Sequence, residues 1–218
     1  MTPIRLSPIH DSLLTLNGTW ETLHAMPTLQ SIASPATPKT VGIADRSYLT
    51  RFGVKGSQAA NWLHEQGIST PDRPNTWVPL PEGGLVARLG LNEFLIEDSL
   101  DSAIAPRLAA ACQSPPPKVY PVLRQDLAIA LHGQRVPDLM HQTCSVNLQV
   151  LDWGDRPVLL TSMIGISVTL LPGEQDGIPH YRIWCDGTYG TYFWTTLLEI
   201  ATELGGGAIA RIGERFQP

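Results

Sequence analysis

One block of this chain occurs twice, 77 residues apart: Phe52–Glu65 and Ile129–Gln142. In each copy a short apolar strand ends in a glycine, Gly56 or Gly133. The chain then enters a helix with apolar residues on one side and a histidine, His64 or His141, in its last turn. A repeated strand–glycine–helix unit restricts the fold to two lobes built on one plan, with a ligand site expected where the lobes meet. What such a site does has to be read from its own residues.

The 218 residues are enough to bury roughly 70% of the unfolded surface, so no covalent staple is needed. Three cysteines, Cys112, Cys144 and Cys185, are an odd number without a Cys-x-x-Cys pair. Neither a disulfide framework nor a thiolate zinc site is indicated, and a reducing, cytoplasmic setting is expected. The N-terminus lacks the apolar stretch of a signal peptide, and no apolar run approaches the length of about 18 residues of a membrane span. A net charge of -5, with 15 Lys and Arg spread thinly, gives no electrostatic footprint for nucleic acid. Trp62, Trp184 and Trp194 fall on apolar faces, so they read as core rather than as a base-stacking platform.

Along the chain, residues 1–40 are rich in Pro, Ser and Thr, including Pro38, and read as an extended arm. Residues 41–112 form the first α+β lobe. It holds a strand to Val54, a helix capped by Ser57 and stopped by Gly67, and a loop to Asn75. The hairpin Leu85–Leu89 and Phe94–Glu97 follows, then a helix over Ser99–Cys112 that Pro106 is expected to start or to break. Consecutive prolines make 113–121 a linker held out of any ladder. The second lobe, 122–210, repeats the plan with a strand Val122–Leu131, a helix Gln134–Gln142, strands Val158–Ser162, Gly165–Leu171 and His180–Cys185, and a closing helix Tyr189–Leu204. Residues 211–218 are a tail. The class is α+β, with strand–helix–strands–helix duplicated.

Candidate chemistry is sparse. Gly205-Gly-Gly207 follows a helix, where a dinucleotide fingerprint must follow a strand, so it reads as a helix stop. His141 and Cys144 are one turn apart but lack the second pair of ligands that a zinc site requires. His132 and His180 have no adjacent carboxylate and read as surface or strand-end residues. The pair Glu97-Asp98 sits before a helix and reads as capping. No metal ligands and no nucleophile motif are found.

The same stretches resemble a known family. Gly42–Leu63, Gly83–Glu97 and Asp126–Gly133 look like the folate-binding domain of the glycine-cleavage T-protein, an aminomethyltransferase. Gln142–Leu148 and Asp186–Leu198 are closer in character to the gamma subunit of heterotetrameric sarcosine oxidase, a smaller member of that superfamily. The resemblance implies the T-protein fold, tetrahydrofolate as the ligand and one-carbon metabolism as the setting.

The resemblance also marks departures. T-proteins follow the Gly-Gly pair with acids that serve the folate-linked reaction, and the matching positions here are Ala87 and Arg88. The folate-holding turn is matched loosely by Met163–Ile166, and a further strand by His180–Arg182. Losing a positioned acid costs about 10² to 10⁴ in rate, and the chain is shorter than a full T-protein. The reading is a non-catalytic or accessory subunit of a folate-linked amine oxidase. No catalytic residue is assigned, the expected cavity lining is Ala87, Arg88, Met163 and Arg182, and a protein partner is implied. The alternative is a tetrahydrofolate-dependent aminomethyltransferase with a relocated acid at Asp45, Asp72 or Glu93, and a stand-alone small-molecule binder is the third class. The partner surface is expected at the exposed part of Tyr189–Trp194 together with the arm.

Overall fold

Both repeats turn from strand to helix at a glycine with positive φ, +123° at Gly56 and +138° at Gly133. A Cβ on Gly56 would overlap the carbonyl oxygen of Lys118, and one on Gly133 that of Thr40. Each of these carbonyls accepts a hydrogen bond from the backbone N–H two residues past its glycine, Gln58 at 3.2 Å and Arg135 at 3.1 Å. Only glycine lets the helix start this close beneath the loop that leads into a neighbouring strand.

The computed structural model describes residues 5–37 and 39–211. Their order is α1 (His10–Leu14), β1 (Gly18–Leu23), β2 (Met26–Ile32), β3 (Gly42–Asp45), β4 (Arg51–Lys55), α2 (Ala59–Glu65), β5 (Thr76–Pro79), β6 (Gly84–Arg88), β7 (Glu93–Asp98) and α3 (Ile104–Ala111). Then come β8 (Tyr120–Val122), β9 (Leu127–His132), α4 (Val136–Thr143), β10 (Leu159–Met163), β11 (Ile166–Leu171), β12 (Glu174–Gln175), β13 (Ile178–Cys185), α5 (Gly190–Glu203) and β14 (Gly207–Ala208).

Sheet one has the order β5-β6-β7-β4-β8. Sheet two runs β10-β11-β13-β9-β3, extended by β14 on β3 and by β12 on β13. The orders correspond strand for strand, with one exchange. β3 precedes β4 in the chain but pairs with β9, while β8 precedes β9 but pairs with β4. Each repeat thus gives its first strand to the other repeat's sheet. The boundaries at 41–112 and 122–210 cut across this exchange, and the proline stretch does not stay out of a ladder. Pro121 pairs with Val54 on the edge strand β8, where a missing N–H is tolerated. The strand expected over Val122–Leu131 is broken between β8 and β9, where the chain passes from one sheet to the other.

Of the other local expectations, some hold and some are corrected. Ser57 makes no cap, since the residue before α2 is Gln58 and no side chain bonds the helix start. Pro106 sits in the first turn of an unbroken α3. Gly67 and Gly205 stop α2 and α5 with positive φ, and Gly205 and Gly206 donate to the carbonyls of Thr202 and Ala201 in a Schellman arrangement. The stretch read as an extended arm folds as α1 and the β1–β2 hairpin, with Ile9, Leu13 and Leu29 in the core of the second lobe. Pro38, residues 1–4 and residues 212–218 of the expected tail lie outside the described residues.

Strand alternation sorts side chains into three layers, one outside each sheet and one between them. Phe52, Val54, Phe94 and Ile96 pack outward from sheet one with Trp62 and Leu63 of α2 and Leu108 of α3. Leu127, Ile129, Leu131, Tyr181 and Ile183 pack outward from sheet two with α4 and with Phe193, Trp194 and Leu197 of α5. Between the sheets lie Trp77, Leu85, Ala87 and Leu95 of sheet one and Ala128, Leu171 and Trp184 of sheet two. Each large apolar side chain so buried contributes about 1.5–3 kcal/mol. Among the described residues, no helix is long and apolar enough to cross a membrane.

Candidate functional site

The faces that the two sheets turn toward one another carry charge as well as apolar groups. On β7, Leu95 and Glu97 alternate with the outward Phe94 and Ile96. On β13, His180, Arg182 and Trp184 stand opposite His132, Ala130 and Ala128 of β9. Glu97 is the centre of this interface at 1% exposure. It accepts from Arg182 Nη1 at 2.9 Å and from Trp184 Nε1 at 2.7 Å, and it pairs with Arg51 Nη1 at 3.5 Å. Arg51 also donates to the carbonyl of Asp126 at 2.8 Å. One carboxylate thereby ties three strands and the β8–β9 connection together across the sheets. Such a buried pair holds only with several partners, because each ion has lost its water.

Beside this hub a cleft of about 440 Å³ opens between the sheets, lined by Leu95, Arg124, Asp126, Thr169, Trp184 and Asp186 among others. Arg124 is held at its rim by Glu93, 2.6 Å away. Burial raises the Asp126 carboxyl above its usual range, against the attraction of Arg124 and Arg51. Its Oδ2 is buried and makes no hydrogen bond among the described residues. Burial, with Asp126 and Asp186 nearby, pushes the Cys185 thiol up to about 12, which removes it as a nucleophile. His180 is wholly buried, contrary to the surface or strand-end reading. Burial first, then the charges of Arg182, Arg46 and His132, hold it well below its ordinary value, so it is neutral. His132, 5.6 Å away ring to ring, is lowered by burial as well. The cleft offers one raised carboxyl and a hydroxyl-bearing wall, without an activated nucleophile paired to a base. No cluster of three or more metal-ligating side chains occurs among the described residues.

The residues expected to line a cavity do not converge. Ala87 and Arg182 both face the inter-sheet space, at 0% and 3% exposure. Ala87 is packed in the cluster of Trp77, Leu95 and Trp184. Arg88 points to the opposite face of sheet one, over the Phe94 ring, and donates to the carbonyls of Pro71, Asp72, Gly90 and Leu91. It pins two loops. Met163 lies in the outer core of sheet two. The three alternative acids are scattered too. Asp45, at the end of β3, accepts from the Ser47 N–H at 2.9 Å and is raised by burial. Asp72 is exposed in the loop before β5, and Glu93 is the rim partner of Arg124.

Sequence reasoning missed Arg51, Arg124 and Asp126, and assigned Glu97 to capping. Capping is right for Asp98, whose carboxylate accepts from Ala105 N at 3.0 Å and from Ser102 and Thr50. The signal for Glu97 was available: on a strand where Phe94 and Ile96 face a helix, Glu97 must face the other sheet, and a charge there needs a partner.

The architecture has counterparts among solved structures. A chain of the heterotetrameric sarcosine oxidase from Corynebacterium sp. U-96, solved with pyrrole 2-carboxylate, matches with TM-score 0.68 and 20% identity over 96% of this chain and 99% of that one. The glycine cleavage system aminomethyltransferase T from Bartonella henselae matches with TM-score 0.70 and 11% identity, over 90% of this chain and 57% of that one. The chain has the fold that these two proteins share. No protein-family model matches the sequence, and comparison with curated proteins gives no match.

Proposed function

We propose that this chain is a non-catalytic subunit of a multi-subunit amine-oxidising enzyme, cytoplasmic, and built on the T-protein fold without folate chemistry of its own. The observation that carries this reading is Ala87. It stands where the family's acid is expected and is closed in at 0% exposure among Trp77, Leu95 and Trp184. The carboxylate nearest in role, Glu97, is committed to two arginines and an indole. Mutual coverage also favours a subunit, since this chain and the sarcosine oxidase chain match over nearly their whole lengths, whereas only 57% of the aminomethyltransferase is matched.

The partner surface is Tyr189 and Tyr192, exposed at 51% and 53%, together with Leu160 at 58%. Tyrosine is enriched at interfaces because it combines apolar area with a polar tip. Phe193 and Trp194 are core residues and are left out of that surface, and Ile9, Leu13 and Leu29 of the N-terminal segment are buried against sheet two.

An aminomethyltransferase with a relocated acid has one observation in its favour, the raised and partly unbonded Asp126 in the cleft. Calorimetric titration of the purified chain with tetrahydrofolate separates the readings. The subunit reading expects no binding tighter than about 1 mM, or about 4 kcal/mol. Micromolar binding that Asp126→Asn abolishes would establish the enzyme reading instead.

A further inference from the structure

The crossover between α4 and β10 encloses a second cavity, on the outer side of sheet two, that shares no lining residue with the inter-sheet cleft. Its volume is about 490 Å³, within the range of about 300–1,000 Å³ typical of small-molecule sites. Met140 and Cys144 at the end of α4 form one wall, Leu148 and Trp153 of the crossover another, and Tyr181 of β13 the floor. The crossover is fixed in place. Asn147 accepts from Gln149 N at 3.0 Å, Asp152 accepts from Gly154 N at 2.9 Å, and the backbone N–H of Ser145 donates to Ser162 at 3.0 Å.

Tyr181 is the decisive residue. It is 1% exposed and held edge-on against Trp153, with ring centroids 5.7 Å apart. Among the described residues its hydroxyl makes no hydrogen bond, and Tyr181 lines the cavity, so the hydroxyl is open to whatever the cavity holds. Burial raises it above its ordinary value, with Cys144 adding to the effect, so it remains a neutral donor. No Lys, Arg, Asp or Glu lines the cavity; His141 is the ionisable imidazole there, beside the neutral Ser145, Asn147 and Gln149, so the lining holds no fixed charge for an ionic ligand.

We propose that this cavity binds an uncharged, largely apolar small molecule that presents a hydrogen-bond acceptor to the Tyr181 hydroxyl. The proposal does not depend on the subunit reading.

The test compares acetophenone with ethylbenzene, which have similar shape but differ in the carbonyl acceptor. The readout is the Met140 methyl resonance of the full chain, assigned with Met140→Leu. The ketone is expected to bind about 2- to 10-fold more tightly, the worth of one hydrogen bond. Tyr181→Phe should abolish that preference while leaving ethylbenzene affinity within about twofold, and Leu148→Trp should exclude both compounds. Equal affinities in the wild-type chain, no Met140 response to either compound, or a preference that survives Tyr181→Phe would overturn the proposal. If Tyr181→Phe melts, the wild-type comparison alone decides.

Discussion

The buried hub gives the sharpest energetic expectation. Glu97→Gln keeps the side-chain shape and an acceptor for Trp184, and removes only the charge that compensates Arg51 and Arg182. Those two side chains are 1% and 4% exposed. Breaking a buried pair from one side typically costs about 3–5 kcal/mol, because the remaining charge stays buried and uncompensated. With a urea slope of about 2–3 kcal/mol per molar, the unfolding midpoint should fall by about 1–2.5 M. The triple variant Glu97→Leu, Arg51→Met, Arg182→Met should lie closer to wild type than the single one, since replacing a whole buried ion cluster with apolar groups is often neutral. Equilibrium urea unfolding followed by Trp fluorescence measures all three. A Glu97→Gln cost below about 1 kcal/mol, or a triple variant less stable than the single, would refute the view that this carboxylate joins the sheets as a compensated buried ion.

Three further outcomes follow from the same structure. Gly133→Ala should cost about 3 kcal/mol or more, through positive-φ strain and overlap with the Thr40 carbonyl, while Gly67→Ala, with open space around it, should cost about 1–2 kcal/mol; equal melting shifts would contradict this. His180 titrates below its unfolded value of 6.5, so the unfolded chain binds more protons and stability falls as pH drops through 6.5, by at most about 1.4 kcal/mol per pH unit from this residue. Denaturation at pH 7, 6 and 5 should show a shallower decline in His180→Gln, and an unchanged slope would exclude this residue as the cause. Arg88→Met should cost about 2 kcal/mol by freeing charged hydrogen bonds to four carbonyls, and limited proteolysis should then cut between Gly67 and Asn75.

The duplication was legible because glycine and apolar periodicity are local and recur at one spacing. The exchange of first strands was not. β3 is buried along its whole length, so its sequence carries no inward and outward faces to say which sheet it joins. β8 is short and holds a proline, and its pairing with β4 depends on the chain approaching from beyond α3. Apolar faces and glycine stops placed α2, α4 and α5, but α3 starts at Ile104 rather than Ser99 and α1 was not foreseen. The Ser57 cap failed because the backbone N–H groups of Gly56 and Gln58 already donate to Asn92 and Lys118. In the site, the alanine at position 87 was readable from the sequence. What fills the space was not, because Trp77, Leu95 and Trp184 come from different strands and meet only when the sheets stack. Arg88 shows the converse. Adjacent to Ala87 in sequence, it faces the opposite side of the sheet by strand alternation.

The proposed subunit role predicts an assembly and no turnover by the isolated chain. Tagged at its native locus and purified from the organism that encodes it, the chain should elute with a flavin-containing amine-oxidising polypeptide in fixed stoichiometry by native mass spectrometry. Replacing Tyr189 and Tyr192 with Asp should release it. Recovery of the chain alone at both low and high salt, with tetrahydrofolate-dependent aminomethyl transfer in the isolated fraction, would contradict the subunit role.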